Sequence, residues 1–172
     1  VLLGRERCSY FRIRVPETQA RSIVSVVPVG DLFRKLTGKF FTETNYQNFT
    51  ILSQGLLGLL SCLYLFEGLD EEIRTFFTTI AQRLVEKSFG QQVTAAKESS
   101  TVFGENLACG YKLLACFGGF KHVFREKDRE AIMSAFIKGM ALQTLPTDFI
   151  ERICKSCIQS FHVAVVEFPE LA

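Results

Sequence analysis

No tryptophan occurs in the 172 residues, so the interior has to be filled by the 17 phenylalanines and the leucines. No Gly-Lys-Ser or Gly-Lys-Thr occurs, which removes the phosphate loop of a nucleotide-binding enzyme. No apolar run is long enough to cross a bilayer. The longest, ILSQGLLGLLSCLYLF, has 16 residues and includes Ser53, Gln54 and Ser61, short of the roughly 20 that a spanning helix needs. Neither charge is in excess: a net of +2 gives no general affinity for nucleic acid or an anionic membrane. Residues 1–30 hold five arginines against Glu6 and Glu17, a net of +3, and the remainder carries −1. Six cysteines in a chain of this size make no dense disulfide framework. Several sit on apolar helix faces, where a thiol behaves as a small hydrophobe, and a reduced, cytosolic protein is expected.

What is present is a core-forming composition. Hydrophobic residues make up 48% and charged ones 22%, which excludes a disordered tail and suits one domain that buries roughly 70% of its unfolded surface. The chain starts at Val1, and VLLGRERC is too short and too charged for a signal peptide. A piece of something longer is expected.

Helical periodicity dominates from residue 31 onward. Helices are expected near 31–41, 45–66, 70–88, 105–124, 127–143 and 147–166. Asp31 is placed to cap the first, with Leu32, Phe33, Leu36 and Phe40 inward. Gly55 and Gly58 in the second would admit a close neighbour. Gly68 stops it, and Asp70 caps the third, with Glu71 and Glu72 favoured by the dipole of its first turn. A polar loop is expected at 90–101. Before residue 30, CSYFRIRV alternates like a half-buried strand and SIVSVVPV is β-branched, so an extended arm or a small hairpin is expected there. Shifting by 59 residues lays Glu71, Ile73 and Phe77 on Glu130, Ile132 and Phe136. Helix-pair repeats run at roughly 40–47 residues, and the surplus matches the length of the 90–101 loop.

Chemistry is thin. Cys154 and Cys157, with Cys109, Cys116, His122 and His162, supply enough ligands for zinc. The CxxC lies inside a helical run, however, and Cys109 and Cys116 are also a helical interval apart, so buried thiols are the expected reading. Neither histidine has a nucleophile or carboxylate set beside it in sequence. Gly110, Gly118 and Gly119 follow no strand and form no phosphate cradle. Asn48-Phe49-Thr50 matches a glycosylation sequon but falls inside a helix. No catalytic, cofactor-binding or metal residue is assigned.

VVPVGDLFRKL, GYKLLACFGGFKHVFREKDREAIMSAFIKGM and IERICKSCIQSFHVAVVEFPEL resemble the helical middle region of the tuberin family, best from Leu107 to Leu171 and next best from Val26 to Leu84. PETQAR and the 90–101 loop depart from the animal pattern, which points to a fungal or other distant relative. The resemblance implies a long α-solenoid that binds hamartin within the tuberous sclerosis complex. It also implies a C-terminal activating domain that acts on the small GTPase Rheb and restrains TOR-complex signalling. None of that domain falls in this chain, so no enzyme activity and no cofactor is expected. The implied location is cytoplasmic, with recruitment to the lysosomal or vacuolar membrane. The fold expected is all-α, a HEAT-like solenoid segment over 31–172 behind an arm or hairpin over 1–30. An unrelated helical-repeat adaptor would share this fold. A helical pocket for an apolar ligand would need a cavity of a few hundred cubic ångströms.

Overall fold

A computed structural model describes residues 28–64, 66–93, 100–143 and 145–168. The arm or hairpin expected before residue 30 lies almost wholly outside them. The described residues form six α-helices and no strand. They are α1 (Val29–Thr42), α2 (Tyr46–Leu63), α3 (Asp70–Val85), α4 (Ser100–Leu114), α5 (Glu126–Met140) and α6 (Thr147–Glu167), with a 3-10 segment, Ala115–Val123, continuing α4.

Every expected helix forms, and the differences lie at the ends. α1 starts two residues before Asp31, so Asp31 sits in the first turn rather than at the cap, where Pro28 stands. Leu69 likewise takes the cap place expected of Asp70. Asn45 does cap α2, its side chain accepting from the Asn48 N–H at 3.1 Å. α4 begins at Ser100, inside the stretch read as loop, because Phe103, Leu107 and Tyr111 already repeat at helical spacing and pack inward. The helix expected to run on to residue 124 tightens after Leu114, and Phe120 leaves helical geometry at φ −128° directly after Gly118–Gly119.

The helices meet in a regular order. α1 packs on α2, α3 on α4 and α5 on α6, while α3 also packs on α5, and α4 on both α2 and α6. Phe33 of α1 reaches Phe76 of α3 with ring centroids 5.6 Å apart. Phenylalanines fill the interior: Phe33, Phe40, Phe77, Phe117, Phe136 and Phe168 are all fully buried. The two helices related by the 59-residue shift use it alike, since Ile73, Phe77, Ile132 and Phe136 are all core. Close approach is made at Gly104 and Gly139 rather than at Gly55. Gly55 faces open space, whereas a Cβ at Gly104 would stand 2.6 Å from the Phe149 ring and one at Gly139 would stand 2.7 Å from that of Tyr111. No helix is long and apolar enough to cross a membrane among the described residues.

Candidate functional site: two linked edges and the thiols

Polar side chains gather where helices begin. Arg34 in α1 bonds its own-helix Asp31 at 2.9 Å and reaches across to Glu72 in the first turn of α3 at 2.8 Å. Arg74 in α3 repeats the arrangement: it bonds Glu71 on its own helix and reaches Asp128 in the first turn of α5 at 3.5 Å. Asp128 also accepts from the Arg125 N–H at 2.9 Å, and the Arg125 guanidinium lies 4.0 Å from Glu71. The α1–α3 links and the α3–α5 links are thus the same device, an acid–arginine pair on one helix that seizes an acid on the next but one.

The opposite edge carries a second repeated device. The last-turn carbonyls of a helix lack partners within it. Arg83 of α3 donates to the Phe41 carbonyl at the end of α1 at 3.3 Å, its guanidinium 4.8 Å from the Phe41 ring centre. Lys138 of α5 donates to the Val85 carbonyl at the end of α3 at 3.4 Å. Beside Arg83 lies a groove of about 480 Å³ whose lining includes Phe41, Thr79, Gln82 and Glu86. It is open and mostly polar, which does not suit an apolar ligand.

These groups are tuned for pairing. The Arg74 hydrogen bond holds the Glu71 carboxyl below its usual range, and the Arg34 bond does the same to Glu72. A general acid needs the opposite displacement, towards neutrality. Depressed carboxyls stay ionised and keep the links closed.

The thiols numerous enough for a zinc site, but read as buried, are dispersed among different neighbours. Cys157 is buried against Gly139 of α5. Cys154 is half-buried, with its sulfur 3.9 Å from the Met140 carbonyl. Cys109 pairs with Ser53 of α2, and Cys116 donates back to the Lys112 carbonyl at 3.7 Å. His122 is exposed, 3.8 Å from Asp70, and His162 is exposed on α6. No group of three or more His, Cys, Asp or Glu among the described residues could hold a metal ion.

Burial pushes the Cys157 thiol up to about 12, with Cys154 adding to the effect, and burial pushes Cys109 up to about 11. Both ordinary values are 9.0. A thiol whose folded value lies above its unfolded one adds stability that is complete below pH 9 and is lost as pH rises towards the folded value. Each such thiol should lower stability by about 1.4 kcal/mol per pH unit above about 9. Urea midpoints measured from pH 7 to about 10.5 should fall accordingly, and Cys157→Ala should flatten the decline. A midpoint unchanged across that range would contradict the burial.

The class these features define is an all-α domain whose clustered charges link helix to helix. No known protein family matches the chain, and no curated protein or solved structure matches it either. Sequence reasoning found the acids at the helix starts but missed the arginines that bind them. The recurrence of Asp31 and Arg34 as Glu71 and Arg74, 40 residues on, was the available signal.

Proposed function

We propose that this chain is a non-catalytic scaffold segment of a tuberin-like GTPase-activating protein that acts on Rheb and restrains TOR-complex signalling. The observation that carries the scaffold reading is the pair of links repeated between successive odd-numbered helices. Recurring charged links between α1 and α3 and between α3 and α5 fit a HEAT-like α-solenoid, in which each helix pair holds the next. The three stretches quoted above supply the link to tuberin. Hamartin is the partner this reading names, and recruitment to a lysosomal or vacuolar membrane would come through the assembled complex.

An activator must place a polar group at the transferring phosphate, and this segment is assigned none. The purified chain should therefore leave the Rheb hydrolysis rate at its intrinsic value. The parent protein should capture hamartin, and should capture less of it once this segment is destabilised. Faster hydrolysis with the isolated chain would overturn the scaffold role. Undiminished hamartin capture after the segment is unfolded by mutation would overturn the partner.

A further inference from the structure

The groove beside Arg83 is built by three pieces of chain: the end of α1, the last two turns of α3 and the turn that follows α3. Its lining falls within residues 41–92, so it is present whatever precedes α1 or follows α6. Its volume of about 480 Å³ falls in the range of ligand pockets, about 300–1,000 Å³. Four lining side chains, Thr79, Gln82, Ser88 and Gln92, carry groups that both donate and accept hydrogen bonds. That inventory suits a peptide backbone, which offers N–H and C=O groups in alternation. It suits a phosphate less well, because a phosphate offers acceptor oxygens. The half-buried Phe41 ring holds the Arg83 guanidinium 4.8 Å from its centre, and so fixes the direction of that charge.

Charge around the groove selects the sign of the ligand. Within two residues of the lining stand Lys39, Arg83 and Lys87 against Glu43 and Glu86, and Lys138 reaches the Val85 carbonyl beside Glu86. Four bases against two acids give a net of +2. Both acids already have partners. Glu43 accepts from the Thr44 and Asn45 N–H groups at 3.0 and 2.9 Å, and Glu86 accepts from the Gln82 amide at 2.9 Å. Lys39 and Lys87 are exposed, and Arg83 commits one of its N–H donors to the Phe41 carbonyl. The undescribed stretches of this chain hold no acidic run to place there. Residues 1–27 carry five arginines against two glutamates, and residues 94–99, TAAKES, carry Lys97 and Glu98.

We propose that this groove binds an extended acidic segment of another protein, its carboxylates on Arg83 and Lys87 and its backbone on Gln82 and Gln92. The groove is open to solvent and buries only part of such a segment, so the complex is weak and salt-sensitive. The proposal goes beyond the scaffold reading and needs neither hamartin nor Rheb.

Fluorescence anisotropy of a fluorescein-labelled peptide of alternating Glu and Gly, titrated with the purified chain, tests it. At about 50 mM salt the peptide should bind with a Kd below about 1 mM, and the affinity should fall at least about threefold at about 300 mM. A peptide with Lys in place of each Glu, and an oligothymidylate of similar charge, should bind at least about tenfold more weakly. Thr79→Trp fills the groove and leaves every charge and both glutamines in place, and it should abolish binding with the fold verified by circular dichroism. Lys87→Glu leaves the lining intact, and should weaken binding at least about threefold by reversing one exposed charge. No binding by the wild type, or undiminished binding by either folded variant, would overturn the site. Oligothymidylate binding as tight as that of the acidic peptide would overturn the occupant, since the edge would then attract polyanions in general. Hamartin capture is a separate measurement, so either result leaves the scaffold reading where it stands.

Discussion

Phe136→Ala should cost the folded chain about 3–5 kcal/mol, the range for removing a buried aromatic ring from a core that cannot collapse around the gap. Phe136 has no exposed surface, and its ring lies 5.5 Å from that of Phe117. It is the point where α5 locks onto the 3-10 continuation of α4, and Phe117 in turn meets Phe168 beyond the end of α6 at 5.7 Å. The loss is a large share of the roughly 5–15 kcal/mol that holds such a domain together. Urea denaturation would measure it, with Phe136→Leu, which removes less volume, as the milder control. In the parent protein the alanine variant should lower abundance and hamartin association while an isolated activating domain stays competent. Stability within about 1 kcal/mol of wild type would show that this ring does not sit in a rigid core.

Adding one methyl group at Gly139 should be almost as damaging. Its Cβ would press on the Cys157 sulfur and stand 2.7 Å from Cε1 of Tyr111. Neither neighbour can yield cheaply. Cys157 is fully buried, and Tyr111 is pinned by the hydrogen bond its hydroxyl donates to the Ala135 carbonyl at 3.2 Å. Overpacking of this kind costs about 1–3 kcal/mol, and displacing the ring forfeits about 1 kcal/mol more of hydrogen bonding. Gly139→Ala should therefore lose about 2–4 kcal/mol. Gly55→Ala is the contrast: with open space around it inside an exposed helix face, it should gain up to about 1 kcal/mol from helix propensity. Equal urea midpoints for the two variants would refute the packing described at Gly139.

The contrast between those glycines marks what the sequence could and could not disclose. Helix existence was legible because apolar spacing is a property of one segment. Phe33 and Phe40, or Ile132 and Phe136, announce their face without reference to anything else. Which glycine lets two helices touch is a property of two segments at once, and Gly139 looks no different from Gly55 in isolation. The ends of elements failed for a related reason. Asp31 and Asp70 are good capping residues, but α1 starts two residues before Asp31 and α3 starts at Asp70 itself, leaving Asp31 to bond Arg34 and Asp70 to face His122. The 3-10 stretch could have been suspected from Gly118–Gly119, where helix propensity is weakest. The charged links needed both partners, 38 residues apart for Arg34 and Glu72 and 54 apart for Arg74 and Asp128, and no local pattern ties residues across such gaps.

The stepwise packing has a kinetic consequence. Each helix finds its main partners among the next two elements, so no long loop has to close before contacts reward it. Phe40 of the first helix already stacks on Phe49 of α2, but Phe33 lacks its partner Phe76 until α3 arrives, and Phe89 completes the cover of Phe40 after that. A chain leaving the ribosome from its N-terminus would therefore hold α1 and α2 loosely until α3 and the turn after it emerge. From then on it would gain structure one helix pair at a time, each new pair finding its template already built.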